Sequence, residues 1–93
     1  MLTAIDEQTS KDDLQAAMKA VDMRLVTIGG IGYAGMGYKI RVLKQAGYED
    51  KGRPNPAGKL AAYKTVVSVL NELGDGATQE SVLAGVEQRS KPS

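Results

Sequence analysis

LVTIGGIGYAGMGYKIRVLKQ, residues Leu25–Gln45, holds five of the chain's eleven glycines (Gly29, Gly30, Gly32, Gly35 and Gly37) between an apolar segment and a basic one. The fold turns on whether these glycines end a helix or follow a strand. Upstream, Leu14, Met18, Val21, Leu25 and Ile28 are spaced 4-3-4-3, which places all five on one side of a helix. On that reading the glycines supply the positive φ that stops the helix and then turn the chain into a second one.

Working outward, Thr9 or Ser10 is the expected N-cap of the first helix, which runs from about Lys11 to Ile28. Asp12 and Asp13 fall in its first turn, where negative charge suits the helix dipole, and Ser10-x-x-Asp13 is close to a capping box. The second helix is expected over about Gly35 to Ala46, with Met36, Ile40 and Leu43 as its buried stripe and Gly47 as its C-cap. Asn55-Pro56 opens a third helix, since Pro at the first helical position gives up an N–H that has no intrahelical partner. From there to Leu73, Leu60, Tyr63, Val66, Val67, Leu70 and Leu73 make a wide apolar face. Gly74-Asp75-Gly76 ends it, and Thr78 caps a short last helix with Val82, Leu83 and Val86 inward. The expectation is one all-α domain over residues 1–93, three main helices plus a short C-terminal one, with residues 1–9 as a short helix or a loose arm.

Gly30-Ile31-Gly32-Tyr33-Ala34-Gly35 also matches G-x-G-x-x-G, after the β-compatible run Leu25–Ile28. Locally this resembles the first strand–turn–helix of flavin- and nicotinamide-binding domains. The resemblance implies a phosphate loop at Gly30, Gly32 and Gly35 at a helix N-terminus. It covers about twenty residues. A turn-rich segment from Gly47 to Pro56 stands where a second strand belongs, and 93 residues leave no room for a doubly wound sheet.

Composition narrows the chemistry. The chain has no Cys and no His, which removes disulfides, thiolate or imidazole zinc sites and His-based triads. Phe and Trp are absent too, so an aliphatic core is expected, of a size that favours self-association. The carboxylates sit mostly at helix starts and turns, where capping accounts for them, so neither an enzyme nor a metal or cofactor is expected. Asp6 and Glu7 occupy the place of a secretory leader's basic segment. The longest uncharged run, Leu25–Tyr38, has 14 residues, too few to span a bilayer. A soluble, cytoplasmic chain is therefore expected.

The net charge of +1 is unevenly spread: residues 39–64 carry +5, while the segments on either side carry −2 each. Lys39, Arg41, Lys44, Lys51, Arg53 and Lys59, with Tyr48 beside them, are the candidate nucleic-acid contacts, since Lys and Arg gain affinity for phosphates through counterion release. Residues 22–41 fit in part a DNA-binding helix-turn-helix. Leu25, Gly30, Ile31 and Met36 stand near its buried and turn positions, and Lys39, Arg41 and Lys44 lie on its second helix. The other readings are a structural or inhibitory protein–protein module, oligomeric through the first helix, and nucleotide binding through Gly30–Gly35. The small residues Ala34, Gly35 and Gly37 also suit close approach by another helix.

Overall fold

The computed structural model describes residues 10–48 and 56–90. Among them the chain forms α1 (Lys11–Gly29), α2 (Tyr33–Gln45), α3 (Pro56–Leu73), a 3-10 turn (Gly74–Gly76) and α4 (Gln79–Ser90), with no strand. The protein is a small all-α bundle. Residues 25–28 are helical, so the strand that the dinucleotide-binding resemblance requires is not there. The arm at 1–9 and the Asn55 cap lie outside the described residues.

α1 starts where its sequence says it should: Ser10 Oγ accepts the Asp13 N–H at 3.2 Å. Ala17, Val21, Leu25 and Gly29 are buried along it, with Leu14, Met18 and Ile28 partly buried on the same core. The 4-3-4-3 stripe thus faces this chain's own helices. Gly30, at φ +115, stops α1, and Gly32, at φ +71, turns the chain into α2.

α2 begins at Tyr33, two residues ahead of the expected start. It ends in a Schellman motif: the Gly47 N–H bonds Lys44 O at 3.0 Å and the Tyr48 N–H bonds Leu43 O at 2.9 Å. Its buried residues are Gly35, Tyr38, Val42 and Leu43. Of the expected stripe only Leu43 is inside; Met36 and Ile40 are 50% and 60% exposed. The cause is the contact with α1. A Cβ on Gly35 would lie 2.3 Å from Gly30 O and 2.7 Å from Val26 O, and one on Gly29 would lie 2.5 Å from the Tyr38 Cβ. The two backbones meet at a point that only hydrogen atoms can occupy. This contact rotates α2 so that its Gly35 side is inward and its Met36–Ile40 side outward.

α3 supplies the centre of the core through Ala62, Tyr63, Val66, Val67, Val69 and Leu70. It is tied to α1 by the Tyr63 hydroxyl, which donates to Asp22 Oδ1 at 2.6 Å. Arg24 Nη2 donates to Gly74 O at 3.2 Å, holding the α3–α4 turn against α1. α4 opens with a reciprocal cap: Thr78 Oγ1 accepts the Ser81 N–H at 3.1 Å and Ser81 Oγ accepts the Thr78 N–H at 2.8 Å. Val82 and Val86 are its buried anchors.

Gln79 joins the two halves. Its Nε2 donates to Ile28 O at 3.1 Å and Gly29 O at 3.2 Å, satisfying carbonyls at the α1 C-terminus, while its own carbonyl accepts the Tyr38 hydroxyl at 2.9 Å. Gln79→Ala removes two of these three bonds. It is expected to lower stability by about 1 kcal/mol in urea denaturation, and an unchanged midpoint would mean that water replaces the amide at no cost.

Candidate functional site

Among the described residues, Arg41 and Lys44 share one flank of α2, and Lys39 does not join them. Lys39 is half-buried, whereas Arg41 and Lys44 are exposed. Two residues apart on a helix means about 200° of rotation, so Lys39 and Arg41 point to opposite sides of α2. Lys59, on the first turns of α3, holds its Nζ 6.0 Å from the centre of the Tyr63 ring, a cation–π contact within the chain. Tyr48 is partly buried and packs against the hydrophobic core. Lys51 and Arg53 lie outside the described residues.

Of the expected phosphate loop, Gly30 and Gly32 are the positive-φ hinge residues, and Gly35 is sealed under the α1 backbone. The helix-turn-helix template fares unevenly. Leu25 is fully buried and Gly30 makes the turn, but Ile31 is 99% exposed and Met36 faces out.

What the structure does bring together is an apolar strip on the outer side of α2. Tyr33, Met36 and Ile40 follow one another at i, i+3 and i+7, which aligns them along one face, and Ile31 precedes them on the connecting turn. Tyr33 is 94% exposed. Gly37 lies within this surface, and a Cβ placed on it would meet nothing within 4 Å. On the helix surface its neighbours at i±3 and i±4 are Tyr33, Ala34, Ile40 and Arg41, so the glycine leaves an open notch among them. The 3-4 spacing of Tyr33, Met36 and Ile40 was visible in the sequence. It reads equally well as an inward stripe, and only the Gly35 contact decides its direction.

Other features are engaged internally. An open groove of about 620 Å³ between α3 and α4, lined by Val69, Leu73, Ala84 and Gly85, has its two charges, Glu72 and Arg89, paired with each other. Among the described residues there is no group of three or more acidic side chains placed to hold a metal ion. None of the described helices is long and apolar enough to cross a membrane.

The buried tyrosines titrate abnormally. Burial pushes the Tyr38 phenol from 10.0 up to about 12, with the Arg41 charge pulling the other way. Tyr63 is also pushed up, by burial first, then by its hydrogen bond to the Asp22 carboxylate and by the charges of Asp22 and Tyr48. A raised folded-state value means that the unfolded chain loses its tyrosine protons first. Stability is therefore whole below pH 10 and falls as pH rises from about 10 towards about 12. Urea midpoints taken across that range are expected to drop steadily; a flat profile would mean that neither phenol is held protonated by the fold.

Comparison with known protein families, with curated proteins and with solved structures finds no match for this chain.

Proposed function

We propose that this chain is a non-catalytic docking module that binds a protein partner through the outer face of α2. The observation that carries the reading is the exposure of four large apolar side chains, Ile31, Tyr33, Met36 and Ile40, on one turn and one helix face. Soluble chains seldom leave a contiguous apolar strip in water without a partner for it. The same helix is held from behind by the close Gly29–Gly35 contact, so binding at its outer face requires little ordering of the backbone. Aromatic and long aliphatic side chains on a fixed helix are what an anchor residue needs.

Nucleic acid is the competing class, because Arg41 and Lys44 are on the exposed side of α2. A photo-crosslinking residue at the exposed Ala34, compared with one at the exposed Ser68 on α3, separates the two in cells that express the chain. The docking reading expects a protein adduct from position 34 only. That adduct is lost in Tyr33→Ser/Ile40→Ser, and the purified adduct partner binds the unmodified chain. An adduct to RNA or DNA that is lost in Arg41→Ala/Lys44→Ala but survives Tyr33→Ser/Ile40→Ser would place phosphates on this face and overturn the reading.

A further inference from the structure

We infer that the occupant of the α2 face is an acidic, amphipathic segment of a different protein, not a second copy of this chain; the inference rests on the docking reading above. Two observations carry it.

The first is charge. α2 carries Lys39, Arg41 and Lys44 and no acidic residue in its thirteen positions. Arg41 follows Ile40 directly, and Lys44 lies one turn further on, at i+3 from Arg41 and i+4 from Ile40. At 100° per residue, both fall on the flank of the strip that also holds Gly37. The apolar strip thus has a cationic edge. In a two-fold pairing of α2 with α2 the patch faces itself, so two helices that each carry cations and no carboxylate are brought together. Two such helices repel, and a hetero-partner with carboxylates in register attracts instead. A contact of α2 with some other surface of a second copy is head-to-tail, which gives a ring or a filament rather than a two-fold dimer.

The second is shape. The notch at Gly37, bounded by Tyr33, Ala34, Ile40 and Arg41, has the four-residue border of a hole that receives a side chain from a facing helix. A partner helix that seats one apolar residue there sets its neighbouring positions over Ile40 on one side and Arg41 on the other. That arrangement calls for apolar residues at i, i+3 or i+4 and i+7, with an Asp or Glu alongside.

The test is selection of a displayed random-peptide library on the purified chain, depleted on Tyr33→Ser/Ile40→Ser. The surviving peptides are expected to be acidic with that helical apolar spacing. A synthetic copy of one is expected to lose about tenfold or more in affinity to Arg41→Glu at low salt. It regains binding to Arg41→Glu when its own Glu is changed to Lys. Stripe-dependent peptides that are neutral or basic, or that bind Arg41→Glu as well as the unmodified chain, would overturn the acidic partner while leaving the docking face. A concentration-dependent dimer in sedimentation that Ile40→Ser abolishes would replace it with a second copy. Failure to recover any peptide that depends on Tyr33 and Ile40 would sink the docking reading itself.

Discussion

Gly35→Ala is expected to destabilise the protein by about 2–3 kcal/mol, although an isolated helix would gain about 1 kcal/mol from the same change. The added methyl would sit 2.3 Å from Gly30 O and 2.7 Å from Val26 O, both backbone atoms of the neighbouring turn and helix. Neither can swing away as a side-chain tip can, so α1 and α2 must separate along their whole contact. That separation also opens the Tyr38 position and loosens its bond to the Gln79 carbonyl. For a domain of this size the total stability is about 5–15 kcal/mol, so the change takes a large share of it. Two residues away, Gly37→Ala has the opposite sign. Its Cβ meets nothing, so only the propensity gain remains, about 0.5–1 kcal/mol of added stability. Chemical denaturation of both variants decides it: stabilisation by both would mean that the helices do not cross at Gly35.

Val42→Ala and Ile40→Ala form the second contrast. Val42 is fully buried and Ile40 is 60% exposed. Removing two buried methyl groups from Val42 is expected to cost about 2 kcal/mol, counting both transfer and the cavity left behind. Ile40→Ala removes more carbon yet is expected to stay within about 0.5 kcal/mol of the unmodified chain. The hydrophobic periodicity of the sequence, taken alone, expects the reverse order. Denaturant midpoints for the two variants therefore test the rotation of α2 about its axis.

That rotation marks the limit of what the sequence discloses. α1, α3 and α4 carry one apolar stripe each and start signals at Thr9 or Ser10, Pro56 and Thr78, so their ends and inward faces were largely legible. α2 carries two stripes, Tyr38–Val42 and Met36–Ile40, of similar hydrophobicity. Burying a tyrosine looks unfavourable until its hydroxyl has an acceptor, and that acceptor, the Gln79 carbonyl, is supplied 41 residues away. The Gly29–Gly35 contact is likewise a property of two helices, not of either segment. In the linear order the same glycines spell a phosphate loop. The placement of the basic residues was hidden for a related reason. Counting charges along residues 39–64 ignores the turn of the helix, which sends Lys39 and Arg41 to opposite sides, and the ring of Tyr63, which takes up Lys59.

α2 keeps its Gly35–Tyr38–Val42 side in and its Tyr33–Met36–Ile40 side open. The most direct test is methyl NMR of the isolated, monodisperse protein with a soluble paramagnetic agent. Strong relaxation enhancement is expected at the Met36 and Ile40 methyls, with protection at Val42 and Leu43. Protected Met36 and Ile40 methyls would contradict it, because that face would then be covered by the chain itself or by another copy.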